Sequence, residues 1–103
     1  MKTENNISKE ELQLMLENAA PLAIIDVRSK EEYDENHIPE AIYIPLDQLK
    51  KIARFLNCNA LYVTACGKGG GRSAQGAEIL SEMGLKSTWL IGGTFGFLSS
   101  EEE

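Results

Sequence analysis

Short apolar runs that alternate with helical patterns constrain the fold of this chain more than any other feature. Residues 22–27 and 61–65 form nearly continuous apolar runs rich in β-branched side chains, which are typical of strands buried on both faces of a parallel sheet. Segments with the apolar spacing of helices lie between such runs. The alternation predicts an α/β fold with a central, mostly parallel sheet and helices on both faces.

Two capping boxes predict where helices begin. Ser8 with Glu11, and Ser29 with Glu32, have the Ser-x-x-Glu spacing in which each side chain binds the other residue's backbone N–H. These helices should end near Asn18 and Asn36. Further helices are predicted for residues 47–55 and 73–83, with Gly84 as the C-cap, and further strands for residues 42–44 and 88–91.

Composition limits both the size of the fold and its partners. The 103 residues fit one domain without linkers or repeats, and we expect residues 1–6 and 99–103 to fray. A net charge of −6 disfavours nucleic acids and anionic membranes as partners. No apolar run reaches signal-peptide or membrane-spanning length, so we expect a cytoplasmic protein. One histidine and two separated cysteines offer neither a metal site nor a disulfide framework, and we expect no cofactor.

A glycine-rich loop that starts with a cysteine follows the clearest predicted strand. Successive glycines let backbone N–H groups curve around one point, which makes an anion-binding nest. The loop then enters a helix, whose N-terminal N–H groups and dipole attract negative charge. Ligands of parallel sheets bind at the carboxyl ends of strands, so this loop is the predicted active site. Its residues are Cys66, Gly67, Lys68, Gly69, Gly70, Gly71, Arg72 and Ser73.

Cys66 is the candidate nucleophile of this loop. The nest and the cations Lys68 and Arg72 should favour its thiolate, which is the reactive form of cysteine. We expect Arg72 to hold an anion more firmly than Lys68, because its guanidinium is a planar fork of donors. Ser73 could donate its hydroxyl to the thiolate or cap its helix. On these residues alone, sulfane sulfur, phosphorus and arsenic are all open as targets of attack.

Five sequence segments follow one another in a recognisable order: Asp26-Val27-Arg28 with Glu31-Glu32-Tyr33, His37-Ile38-Pro39-Glu40-Ala41-Ile42, Ile44-Pro45-Leu46, the loop from Cys66 to Arg72-Ser73, and Gly92-Gly93 with an aromatic-rich tail. Together they resemble the single-domain rhodanese-like family, over about residues 7–97. The resemblance implies a three-layer sandwich with about five strands. It also implies that Cys66 takes sulfane sulfur as a persulfide from a small anionic donor such as thiosulfate and passes it to a thiol or cyanide acceptor; a protein persulfide is a further candidate partner.

Three features depart from the family pattern. The usual loop is Cys-x4-Arg, whereas this one is Cys-x5-Arg, the length of phosphatases and arsenate reductases that share the fold. Those relatives commonly carry histidine before the cysteine, where this chain has Ala65. Glu40 replaces a glycine and disfavours positive φ, so that turn should differ locally. Phe97 stands where a tryptophan often ends the last motif, and we expect it to change packing near the site.

Three function hypotheses follow. A sulfurtransferase is the leading one, and a phosphatase or arsenate reductase using the same thiolate loop is the second. The third is a non-catalytic protein-docking or sulfur-carrier module, which the small size and acidic surface permit. The nucleophile Cys66 beside Lys68 and Arg72 favours an enzyme, because binding alone needs no nucleophile.

Polar side chains outside the loop admit supporting roles. Asp26 and Arg28 follow a strand at the same sheet edge, where they could hold the loops as an ion pair, with help to anion binding as the alternative for Arg28. His37 is expected to bind backbone carbonyls rather than act as a base. Cys58 is expected to be an ordinary turn residue, with a disulfide to Cys66 as the alternative.

Overall fold

The computed structural model describes residues 5–99. No helix in that range is long and apolar enough to cross a bilayer. The strands are β1 (Asn6–Ile7), β2 (Leu22–Asp26), β3 (Ala41–Tyr43), β4 (Leu61–Ala65) and β5 (Lys86–Leu90). The helices are α1 (Lys9–Glu17), α2 (Lys30–Glu35), α3 (Leu46–Ala53), α4 (Gly71–Glu82) and α5 (Gly93–Leu98).

All five strands pair in parallel, in the order β1-β5-β4-β2-β3. Strand β4 is central and lies between β2 and β5. Its last residue, Ala65, is in register with Asp26, the last residue of β2. The loops that follow these two strands therefore leave the sheet side by side, and Val27 N–H donates to Ala65 O over 3.0 Å where they begin.

Two apolar clusters cover the two faces of the sheet, because neighbouring strand residues point in opposite directions. One cluster combines strand residues such as Ile25 and Tyr62 with side chains of α3 and α4. The other combines Ile24 and Val63 with Leu12 of α1 and with residues of α2 and α5 packed against it. Helices on both faces of a parallel sheet confirm the predicted α/β sandwich.

Both capping boxes are present. Ser8 Oγ accepts from Glu11 N–H over 3.1 Å, and Ser29 Oγ accepts from Glu32 N–H over 3.3 Å. Each glutamate reaches back to the N–H of its serine. Gly84 follows the C-cap of α4 with φ of 87°, a conformation that favours glycine.

The structure differs from the sequence-based expectation at several element ends. Asn6 pairs with Trp89 in β1, so the expected fraying of residues 1–6 does not extend to it; residues 1–4 and 100–103 lie outside the described part of the chain. Helix α3 ends at Ala53, and Phe55, which we expected on its apolar face, is 79% exposed. Helix α5 forms where we expected an aromatic-rich tail.

The turn before β3 forms without left-handed backbone at Glu40. Ala41 N–H donates to Ile38 O over 2.8 Å, and Glu40 has no positive φ. The chain therefore makes this turn in a conformation that glutamate adopts without strain.

Candidate active site

Cys66 lies at the carboxyl end of the central strand and is 5% exposed. It belongs to the apolar cluster between the sheet and helices α3 and α4, which includes Leu49 and Leu80. The alternation along β4 accounts for this, since Thr64 faces the same helix layer and hydrogen-bonds to α4. The sulfur therefore faces the first turn of α4 rather than open solvent.

The Cys66 sulfur contacts two oxygen atoms at the start of α4. Sγ lies 3.4 Å from Ser73 Oγ and 3.5 Å from the Gly70 carbonyl oxygen. Ser73 is wholly buried, and its hydroxyl donates to Gly70 O over 2.8 Å. Gly70 is the N-cap residue of α4 and Ser73 lies within its first turn, so the alternative that Ser73 caps its helix is wrong. Its hydroxyl contacts the sulfur, and it can donate to a thiolate if its one hydrogen turns away from Gly70 O.

Two hydroxyl groups of the strands hold α4 at a fixed place on the sheet. Thr64 Oγ1 donates to Ser73 O over 2.6 Å, and Ser87 Oγ donates to Ala77 O over 2.6 Å. Gly76 permits the close packing of α4 on the sheet, because a Cβ there would make tight contacts of 3.3 Å with side-chain atoms of both Leu49 and Thr64. The helix that presents Ser73 to the sulfur is thus positioned directly by the strand that carries Cys66.

The backbone of the loop leaves its N–H groups available. Gly69, Gly70 and Gly71 all have positive φ, of 92°, 73° and 35°. Among the residues that the structure describes, no acceptor takes a hydrogen bond from the N–H groups of residues 67–72. Such groups can bind an anion or a negatively charged sulfur, as the glycine content predicts.

Helix α5 supports the cysteine loop through backbone hydrogen bonds, a contact that the sequence analysis did not predict. Thr94 N–H donates to Cys66 O over 2.6 Å, and Phe95 N–H donates to Gly67 O over 3.0 Å. Gly93 has φ of 63°, and a Cβ there would lie 2.5 Å from Cys66 O. The paired glycines before the aromatic residues could have indicated this contact, since glycines permit a close approach of two backbone segments.

Phe95, not Phe97, lies beside the cysteine loop. The Phe95 ring is half-exposed and lies 3.1 Å from the place of a Cβ on Gly67. Phe97 packs against the apolar cluster beneath α1 and under the Lys9 ammonium group. The expected effect of Phe97 on packing near the site therefore belongs to Phe95. Thr94 Oγ1 is buried beside the loop and has no hydrogen-bond partner among residues 5–99.

The two loop cations differ in their surroundings. Lys68 is exposed and makes no ion pair within the described range. Arg72 Nη1 donates to Glu32 Oε1 over 2.9 Å and Nη2 to Oε2 over 3.2 Å. These bonds, with the N–H of Ser29, hold the pKa of Glu32 at about 2. Because Glu32 occupies the guanidinium fork, the structure weakens the expectation that Arg72 is the stronger anion ligand.

Asp26 and Arg28 form a buried ion pair beneath this edge of the sheet. Each side chain is 1% exposed, and Arg28 Nη2 lies 2.8 Å from Asp26 Oδ2. Asp26 also accepts from Arg28 Nε, and Arg28 Nη2 donates to Asn36 O over 2.6 Å. The pair thus ties the β2 loop to the end of α2, which favours its structural role over direct anion binding.

His37 and Cys58 lie away from the sulfur of Cys66. His37 Nδ1 lies 2.8 Å from Tyr33 O, and the two rings stack, so its contacts are structural as expected. Cys58 is exposed before the amino end of β4, whereas Cys66 follows the carboxyl end. A five-residue strand at about 3.3 Å per residue separates them by far more than the roughly 7 Å limit of a disulfide, which excludes the alternative for Cys58.

The fold and the site define a class of protein. It is a parallel α/β sandwich with a buried cysteine at the carboxyl end of its central strand, inside a glycine-rich loop that opens a helix. Residues 8–100 match the family model described as a rhodanese-like domain, so the chain belongs to the rhodanese-like family.

Individual relatives agree with this assignment. The chain is 40% identical over 70 residues to the thiosulfate sulfurtransferase PspE of Escherichia coli, covering 67% of each protein. It is 36% identical over 80 residues to the putative sulfur carrier protein YrkF of Bacillus subtilis; the match covers 78% of this chain and 43% of YrkF, less than half of that protein. A crystal structure of a rhodanese-like domain protein from Staphylococcus aureus superposes with a TM-score of 0.83, at 32% identity and 96% coverage of both chains.

Proposed function

We propose that this protein is a sulfurtransferase in which Cys66 carries sulfane sulfur as a persulfide. The observation that carries the proposal is the buried sulfur at the head of a loop whose N–H groups have no protein acceptor among the described residues. A thiosulfate sulfurtransferase and a putative sulfur carrier among the relatives support the same chemistry. Such a cycle requires a reduced thiol, which suits the cytoplasm.

The reaction divides into two sulfur transfers at Cys66. The thiolate attacks the outer sulfur of a donor such as thiosulfate; a sulfur–sulfur bond forms, the donor's bond breaks, and sulfite leaves with the electron pair. An acceptor thiolate or cyanide then attacks the terminal sulfur, and Cys66 leaves as the thiolate. No net oxidant is needed, because the sulfane sulfur keeps its oxidation state through both steps.

Each loop residue has a role in this proposal. The N–H groups of Gly67, Gly69, Gly70 and Gly71 stabilise the negative terminal sulfur, as does the hydroxyl of Ser73. The cation Lys68 attracts the anionic donor, and Arg72 contributes less because Glu32 pairs with it. Asp26 and Arg28 support the loop from below through their buried pair.

A phosphatase or arsenate reductase is the second candidate, and the Cys-x5-Arg loop length favours it. A longer loop makes a wider nest, which suits a tetrahedral oxyanion. Arg72 would bind that oxyanion, yet its fork is occupied by Glu32. This competition places sulfur transfer ahead.

Intact mass after thiosulfate treatment tests the proposal. The protein should gain about 32 Da, the mass of one sulfur, and lose it on addition of cyanide. Cys58→Ser, the matched control, should gain the same mass, and Cys66→Ser should gain none. An unloaded protein that turns over an aryl phosphate or arsenate would instead establish the second candidate. With neither loading nor turnover, a docking or carrier role would replace both.

A further inference from the structure

The guanidinium group beside the cysteine loop is neutralised by a carboxylate from another helix. Arg72, in the first turn of α4, binds Glu32 of α2 through both terminal nitrogens, and 40 residues separate the two in sequence. The side chains are 45% and 39% exposed, so the pair borders solvent. Lys68 is the other cation of the loop and has no such partner within residues 5–99.

Glu32 is held in place independently of Arg72. Its Oε1 accepts from the N–H of Ser29 over 3.0 Å and from the Ser29 hydroxyl over 3.1 Å, as the N3 residue of the α2 capping box. Its carboxylate is therefore already oriented when Arg72 reaches it, and less side-chain entropy is lost on pairing. This fixed position makes Glu32 a stronger competitor for the guanidinium than a free surface carboxylate.

We propose that Glu32 is a specificity-determining residue, which occupies and neutralises the guanidinium of Arg72 at the cysteine loop and so favours singly charged persulfide donors over doubly charged oxyanions. The inference rests on the proposed sulfur transfer and names its donor class. Thiosulfate, sulfate and phosphate carry oxygens that match the guanidinium fork. The affinity of the site for these anions is therefore reduced most when Glu32 occupies the fork. The persulfide of a small thiol presents one charged sulfur, which loop N–H groups can hold without Arg72.

Two charge-matched variants test this role. Glu32→Gln removes the charge but keeps a residue that completes a capping box, so α2 should stay folded. Glu31→Gln removes the same charge from the neighbouring, exposed position and leaves the Arg72 pair intact. Circular dichroism and thermal unfolding should be used to check that both variants fold.

Anion binding is the first readout, because it needs no sulfur transfer. The dissociation constants for sulfate and inorganic phosphate, measured by calorimetry, should fall about three- to fivefold in Glu32→Gln, the upper part of the range expected for release of an exposed ion pair. In Glu31→Gln they should stay within about twofold. Unchanged or weaker binding in Glu32→Gln would overturn the proposal, since Glu32 would then be irrelevant to Arg72 or would orient it for the anion.

Donor preference is the second readout. In Glu32→Gln, kcat/KM for thiosulfate should rise about three- to fivefold through KM, while that for cysteine persulfide stays within about twofold. Adding Arg72→Ala should abolish the effect of Glu32→Gln, because the two residues act as a pair. An equal rise for both donors would overturn the proposed selectivity. If no variant transfers sulfur but sulfate binding tightens as expected, the sulfurtransferase proposal fails and the control of Arg72 by Glu32 stands.

Discussion

The two cysteines of the chain lie in contrasting surroundings. Cys66 is 5% exposed and contacts the Ser73 hydroxyl, in a loop whose N–H groups have no acceptor within residues 5–99, whereas Cys58 is exposed in a turn. Backbone N–H groups and a helix N-terminus stabilise a thiolate, and Cys58 has neither. The difference between the residues is therefore one of position in the fold rather than of neighbours in sequence.

Alkylation by iodoacetamide should separate the two thiols. On the single-cysteine variants Cys58→Ser and Cys66→Ser, the thiol of Cys66 should react more slowly than that of Cys58 in the folded protein, because Cys66 is 5% exposed and Cys58 is exposed. In urea the two rates should become similar, because unfolding exposes both thiols. Equal rates in the folded proteins would contradict the burial of Cys66.

Individual residues were predictable from sequence where their partners are local. The sequence identifies Cys66 from the strand and glycines around it, and the Asp26–Arg28 pair from its position at a strand end. The Glu32–Arg72 pair could not be found, because it depends on how α2 and α4 are placed across the sheet. The exposed ring beside Gly67 was missed because the helical phase of Phe95 was unknown without α5.

Among the secondary-structure elements, α5 has the most direct effect on the loop. Its first two N–H groups after Gly93 donate to Cys66 O and Gly67 O, so the helix fixes the backbone from which the Cys66 side chain projects. The approach is so close that a Cβ on Gly93 would also lie 2.6 Å from Gly69 N. The element thus requires glycine at this position for both its φ and its space.

Alanine at two glycines of α5 should have opposite effects. Gly93→Ala should lower the free energy of unfolding by about 3 kcal/mol or more and reduce sulfur loading, because it combines left-handed φ with backbone overlap. Gly96→Ala, where a Cβ meets nothing within 4 Å, should be neutral or gain about 0.5–1 kcal/mol from helix propensity. Urea unfolding measures both. A Gly93→Ala protein as stable as Gly96→Ala would show that α5 does not brace the loop.

Elements with strong local signals were predicted, and those without them were not. The capping boxes of α1 and α2 and the apolar run of β4 have clear sequence patterns, and the structure contains all three. Strand β1 has two residues, too few for any period, and gains its stability from pairing with β5. Helix α5 contains Gly93 and Gly96, and tertiary packing rather than propensity stabilises it.

At the scale of the whole molecule, the ion pair between Glu32 of α2 and Arg72 of α4 links stability to pH. The pKa of Glu32 is about 2 in the folded protein against an ordinary value of 4.5, chiefly because Arg72 donates to its carboxylate. The unfolded chain therefore binds this proton more readily, and the contribution of Glu32 is complete above about pH 4.5 and is lost as the pH falls through about 2. Partial exposure limits it to roughly 1 kcal/mol.

Acid unfolding of the variants should show this contribution. Glu32→Gln should be less stable than the natural protein at pH 7, and the difference should shrink as the pH falls from about 4.5 to about 2. Thermal unfolding at several pH values measures it, with Glu31→Gln as the control for general charge. A difference that stays constant over this range would mean that the Glu32–Arg72 pair does not stabilise the fold.

At this scale the sandwich was predictable, while the order of its strands was not. Alternating strands and helices leave few arrangements other than a parallel sheet covered on both faces. The order β1-β5-β4-β2-β3 depends on pairing between segments distant in sequence, such as β1 with β5, and local patterns do not contain that information.

The cysteine loop is anchored at both ends and at Gly69, and it has open space at Gly70 and Gly71. Thr64 binds the carbonyl of Ser73, α5 binds the carbonyls of Cys66 and Gly67, and a Cβ on Gly69 would overlap backbone atoms, whereas a Cβ on Gly70 or Gly71 would meet nothing within 4 Å. Both of these last two glycines have positive φ, so the open space does not admit other residues without backbone strain. Evolution, or a protein engineer, can therefore reshape the surroundings of this one cysteine only by changing the path of the backbone together with the side chains.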